Sequence, residues 1–80
     1  MNVEKQIENY IREQFEIGDD PDLTLDTHLF DEGFVDSLGA VEIVNFVEET
    51  FSIEVTQKDL TLYPMNTINE IATVVKSKIQ

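Results

Sequence analysis

Cysteine and tryptophan are absent from this chain of 80 residues, and it has only three glycines, two prolines and one histidine. Without cysteine there is no disulfide framework, no thiolate metal site and no cysteine nucleophile. The lone His28 leaves no second imidazole for a metal cluster or an acid–base relay. Positive charge is scarce too: five Lys+Arg stand against 17 Asp+Glu, a formal net charge of −12. Nucleic-acid binding needs a basic footprint that is missing here, and the same charge opposes docking on an anionic membrane. No apolar run approaches membrane-spanning length, and Met1-Asn2-Val3-Glu4-Lys5 lacks the apolar core of a secretory signal. A cytoplasmic chain with no nucleic-acid partner and no stable membrane insertion is therefore expected. Eighty residues allow one domain, 1–80, with a small core and no room for separate substrate and cofactor domains. The hydrophobic content of 41% is too high for an acidic disordered tail.

The charge is unevenly placed. Arg12 and Lys58 bracket a stretch with no Lys or Arg, and thirteen acids lie within it, from Glu13 to Glu54. The cations Lys5, Arg12, Lys58, Lys76 and Lys78 all sit towards the ends. Such a field either keeps a surface solvated or docks basic partners.

Apolar periodicity predicts an all-α fold, a small four-helix bundle of three main helices and one short one. Val3, Ile7, Tyr10, Ile11 and Phe15 form one stripe, giving a first helix over about 3–16, capped by Asn2 and ended by Gly18. A second helix runs over about 37–51, with Asp36 or Ser37 as its cap. Its buried face holds Gly39, Ile43, Phe46, Val47 and Thr50 and is expected to pack on the first helix. Thr56-Gln57-Lys58-Asp59 opens a short helical turn that Tyr63-Pro64 stops. Thr67-Ile68-Asn69-Glu70 is a capping box for a final helix with Ile68, Ile71, Ala72, Val75 and Ile79 inside. Between the first two helices, residues 18–35 mix turn formers with Leu23, Leu25, Leu29, Phe30, Phe34 and Val35. That composition predicts a long ordered loop, and loops of this length are usually functional.

Two enzymatic or metal readings fail on spacing. An EF-hand started at Asp20 has Leu25 at its sixth position and Asp31 at its twelfth. Started at Asp22 it has Thr27 and Gly33 there, so no calcium loop forms. A Gly-x-Ser-x-Gly elbow would need glycine where Val35 stands before Ser37. His28 is then an ordinary loop residue, and no metal site is expected.

One segment retains chemical promise: Gly33-Phe34-Val35-Asp36-Ser37-Leu38, which ends the long loop and opens the second helix. On local sequence alone the serine is a helix cap. In context the segment resembles the prosthetic-group attachment site of the acyl and peptidyl carrier proteins. The similarity continues through Val41-Glu42-Ile43-Val44, Val47-Glu48-Glu49-x-Phe51, Ile53-x-Val55 and Thr67-Ile68. It covers about Leu29 to Ile79, and the first helix matches in pattern only. The resemblance implies that a phosphopantetheinyl transferase attaches 4′-phosphopantetheine from coenzyme A to Ser37. It also implies an acyl- or aminoacyl-activating ligase that loads the thiol, and acyl-transferring enzymes with basic patches that unload it. Asp36, Leu38 and Gly33 would flank the attachment point, with Gly33 permitting the turn. Leu38, Val41, Glu42, Asn45, Glu48 and Glu49 would form the docking face of a monomeric, non-catalytic carrier. Charge reversal at Glu42 or Glu48 is then expected to slow partner reactions and leave folding intact.

The chain departs from the fatty-acid type. Gly33 stands four residues before Ser37 rather than three, Phe34-Val35 are bulky, and Thr56–Thr67 is long with Tyr63-Pro64 inside it. Gly-x-x-Asp-Ser and Leu29-Phe30-Asp31-Glu32-Gly33 are closer to D-alanyl or discrete aminoacyl carriers. The reading from another class is an acidic helical adaptor without a prosthetic group, with Ser37 only a cap.

Overall fold

Helix α1 (Val3–Gln14) begins where the Asn2 side chain accepts the Lys5 N–H at 2.8 Å, satisfying one of the helix's free amides. In the computed structural model, which describes residues 2–79, three further helices follow: α2 (Ser37–Phe51), α3 (Gln57–Leu62) and α4 (Ile68–Ile79). The described residues contain no strand, in keeping with the helical spacing of the apolar residues outside the long loop.

Helix α1 stops earlier than Gly18, for a local reason. Glu16 takes a left-handed conformation at φ 56°. The Ile17 N–H then returns to the Arg12 carbonyl at 2.9 Å, and the Glu16 N–H to that of Glu13 at 3.3 Å. This is a Schellman ending with a glutamate in the place glycine usually takes. Ser52, left-handed at φ 55°, ends α2 similarly, with the Ile53 N–H on the Glu48 carbonyl at 3.2 Å.

The core is one cluster in which Ile7 and Ile11 of α1, Ile43 and Val47 of α2, and Ile68, Ile71, Ala72 and Val75 of α4 meet Leu23, Leu29 and Val35 of the loop. Helix α4 is the hub: it packs on α1 and on α2. Its buried arc therefore widens to include Val74, while Ile79 is exposed. Helix α2 meets α1 chiefly through side chains, Phe46 stacking on Tyr10 with centroids 3.8 Å apart, and Thr50 lies exposed. Helix α3 buries no residue completely. It is held by the Thr56/Asp59 capping box and by Lys78, whose ammonium lies 2.7 Å from the Asp59 carboxylate.

The long loop is ordered because its polar groups find partners. Arg12 donates to the carbonyls of Gly18 (2.6 Å), Asp20 (3.1 Å) and Leu23 (2.9 Å), while Glu8 holds the guanidinium at 2.9 Å. Further along, the Leu29 N–H reaches the Asn66 carbonyl at 2.8 Å, and the Asn69 N–H reaches that of Leu25 at 3.1 Å. Buried Leu23 and Leu29 anchor the loop between these ties. At the start of α4, Thr67 accepts the Glu70 N–H at 3.0 Å and Glu70 accepts the Thr67 N–H at 3.1 Å, completing the expected box.

Candidate functional site

The loop delivers the chain to α2 in a short series of turns. His28 accepts the Asp31 N–H through Nδ1 at 3.0 Å, which fixes it as a loop residue. Gly33 has φ 81°, a left-handed conformation that side chains disfavour, and a Cβ there would meet nothing. The glycine is needed for its backbone, not for space. Val35 then plugs into the core, and its N–H binds the Leu29 carbonyl at 3.1 Å.

Asp36 is the cap of α2. Its Oδ1 accepts the Gly39 N–H at 2.8 Å, and its carbonyl accepts the Ala40 N–H at 3.0 Å. Ser37 is the first helical residue and is exposed; its hydroxyl has no hydrogen-bond partner among the described residues. The N–H groups of Ser37 and Leu38 precede the intrahelical ladder and are likewise free, so the serine stands at a helix end with two unpaired donors and a positive dipole.

The other serines offer nothing comparable. The Ser77 hydroxyl donates to the Val74 carbonyl at 2.7 Å. Ser52 sits at the carbonyl end of α2, where the helix dipole opposes an added anion.

A family profile described as the phosphopantetheine attachment site matches residues 5–75 of the chain. A D-alanyl carrier protein of Streptococcus suis (strain 05ZYH33) is 37% identical over 71 residues, covering 89% of this chain and 87% of that protein. A D-alanyl carrier protein of Streptococcus uberis (strain ATCC BAA-854 / 0140J) is 41% identical over 51 residues, covering 64% and 65%. No solved structure matches. The chain belongs to the phosphopantetheine attachment-site family. It is a carrier whose cofactor is covalently attached 4′-phosphopantetheine, as the resemblance implied, and the prosthetic-group-free adaptor falls away.

The α2 N-terminus fits such a group. A phosphodiester on a hydroxyl here would face the free N–H groups of Ser37 and Leu38. The neighbouring Asp36 carboxylate would repel it, but one oxygen is already committed to the Gly39 N–H. Capping therefore accounts for that acid beside an anion site. When bound, the group supplies a thiol on which cargo is held as a thioester; the protein's own part is to present one serine and leave the arm unobstructed.

Along the outer face of α2, Leu38 is 75% exposed and Val41 58% exposed, both next to Ser37. Glu42, Asn45 and Glu49 continue the exposed row, and the helix carries no cation. Glu42 is lightly steered by Gln14, whose Nε2 lies 3.3 Å from its carboxylate. The Tyr10 hydroxyl donates to the Glu42 carbonyl at 3.3 Å; burial pushes its pKa up, and the Glu42 charge adds to the effect. Glu48 differs from the rest of the row. It is half-buried, and its carboxylate accepts the Val55 N–H at 2.9 Å, tying the end of α2 to the connector. Charge reversal at Glu48 would break this tie, so folding is expected to survive reversal at Glu42 but to be weakened by reversal at Glu48. Beside α2, Phe30, Ala40, Ile43 and Val44 face Leu60, Pro64, Met65 and Asn66 across an apolar cleft of about 330 Å³.

Three structural roles escaped sequence reasoning. Arg12 reads as a surface cation, although its position as the last one before the acidic loop is a signal for capping loop carbonyls. Glu48 reads as one more surface acid. Gly39 reads as one position on a buried face, with no sign of how closely that face approaches α1.

Proposed function

We propose that Ser37 is the attachment residue and that the carrier delivers an aminoacyl group, D-alanine being the leading candidate. One observation carries the site: among the chain's serines, only Ser37 combines an exposed, unpartnered hydroxyl with a helix N-terminus. A phosphopantetheinyl transferase would bring coenzyme A to this hydroxyl. The serine oxygen would form a new bond to phosphorus and displace the nucleotide half of coenzyme A, with the hydroxyl proton passing to a base of the transferase. Asp36 would hold the helix end and offer its remaining oxygen to that enzyme. The cargo assignment rests on the Gly33-x-x-Asp36-Ser37 spacing and on the likeness to D-alanyl carriers over most of the chain.

The chain itself would perform no catalysis. It would act in the cytoplasm as a monomer and visit a ligase and acyl-transferring enzymes through Leu38, Val41, Glu42, Asn45 and Glu49, with Glu48 bracing the end of the helix through Val55. Complementary charge mainly raises encounter rate and sets orientation, which suits a shuttle. A second reading, an apolar acyl cargo, is favoured by the apolar cleft beside α2, at the small end of ligand-pocket sizes. The two part in a loading assay. Phosphopantetheinylated protein is offered D-alanine, ATP and a D-alanine-activating ligase, or a fatty acid, ATP and an acyl-activating ligase. Faster thioester formation with D-alanine supports the leading reading, and preference for the fatty acid overturns it.

A further inference from the structure

Helix α2 carries a glycine at its third position, although glycine is among the poorest helix formers. Space explains it. Gly39 is buried, and a Cβ built there would lie 2.7 Å from Phe15 Cε1, 2.7 Å from Val35 Cγ1 and 3.1 Å from Phe15 Cζ. The first turn of α2 is therefore drawn inward until its backbone touches the end of α1 on one side and the incoming loop on the other. Resting on the reading of Ser37 as the attachment residue, we propose that Gly39 is a positioning residue for its modification, setting how far the serine stands out from the bundle.

The surroundings explain why the strain of a larger residue would be passed to Ser37. Val35 is buried, β-branched and tied to Leu29 through its backbone, so it cannot turn aside without moving the chain that leads into Asp36 and Ser37. The Phe15 ring stands edge-on to Tyr10 with centroids 6.4 Å apart, at the left-handed corner that ends α1. The Gly39 N–H is also the partner of the Asp36 cap. Relieving contacts of 2.7 Å to ordinary van der Waals separation moves something by the better part of an ångström, and the exposed start of α2 is the part free to move. Misplacement of a reacting group by about 1 Å can lower a rate on the order of 100-fold. Val41, Glu42, Asn45 and Glu49 lie beyond the shifted turn, so most of the outer face keeps its place and chemistry should slow more than binding.

The test is steady-state phosphopantetheinylation by a broad-specificity transferase with coenzyme A. Gly39→Ala should melt cooperatively and show kcat lowered about 10- to 100-fold with KM within about threefold of wild type. Adding Val35→Ala and Phe15→Leu to Gly39→Ala should restore kcat to that of the Val35→Ala/Phe15→Leu protein. An unchanged kcat for Gly39→Ala, or a loss seen only in KM, overturns the proposal. Failure of the added substitutions to restore kcat overturns it too. If Gly39→Ala alone does not fold, Gly39→Ala/Phe15→Leu, relieved on one side only, takes its place: a kcat well below that of Phe15→Leu supports the proposal, and an equal one overturns it. Wild type that accepts no phosphopantetheine would overturn the Ser37 reading itself, a distinct result.

Discussion

Glu48 and Glu49 are adjacent acids on one helix, yet they should respond oppositely to removal. The Glu48 carboxylate accepts the Val55 N–H at 2.9 Å, whereas Glu49 is exposed. A hydrogen bond to a charged group contributes about 1.5–3 kcal/mol. Val55 is only half-buried, so water can partly replace the lost acceptor, and the loss for Glu48→Ala should be about 1–2 kcal/mol. For a domain of this size each kcal/mol moves Tm by about 4–8 °C. Glu48→Ala should therefore lower Tm by roughly 5–15 °C. Glu49→Ala should leave Tm unchanged or raise it slightly, because it relieves repulsion in a chain of net charge −12. Thermal melts followed by circular dichroism measure both. Glu48→Gln keeps a neutral acceptor and should fall between them. Equal melting temperatures for the two alanine variants would refute the distinction between a structural and a docking glutamate.

Glu16 holds a left-handed conformation that costs most residues about 1–2 kcal/mol. Glycine there gives back about 0.4–1 kcal/mol through the unfolded chain. Glu16→Gly should then stabilise by about 0.5–1 kcal/mol in a denaturant titration, and a loss of stability would show that the Schellman ending is not strained. The Asp59 carboxyl, hydrogen-bonded by Lys78 and by the Thr56 backbone and hydroxyl, is held at about 2 against an ordinary 3.8. Because its folded pKa is depressed, its contribution is complete above about pH 4 and is lost as pH falls towards 2. The Tm gap between wild type and Asp59→Asn should accordingly narrow over that range; a gap independent of pH would contradict the pairing. Added salt should screen the acidic stretch between Arg12 and Lys58 and raise Tm, and an unchanged Tm would mean that self-repulsion is negligible.

Elements whose signals are local were readable in the sequence. The Asn2 cap, the Thr67/Glu70 box and the apolar stripe of α1 depend on residues three or four apart, and each appears as expected; the stripe of α4 does so except at its end, where Ile79 is exposed and Val74 is buried instead. The end of α1 was misplaced because glycine at 18 is the usual signal, whereas the chain turns at Glu16. Helix α2 was expected to rest on α1, but periodicity gives a face and not its neighbour; α4 supplies much of that contact. The candidate serine was visible as a motif, yet its free hydroxyl and the committed Asp36 oxygen needed coordinates. Arg12, Glu48 and Gly39 were opaque for a common reason. Their partners lie at loop carbonyls, a connector amide and a ring edge, groups that no side-chain pattern encodes.

The central claim is that Ser37 carries the arm. Wild type, Ser37→Ala, Ser52→Ala and Ser77→Ala are incubated with coenzyme A and a broad-specificity phosphopantetheinyl transferase, and intact masses are taken. Wild type and the variants at Ser52 and Ser77 should each gain one phosphopantetheine, and Ser37→Ala none. A gain on Ser37→Ala, or its loss on Ser52→Ala or Ser77→Ala, would contradict the account.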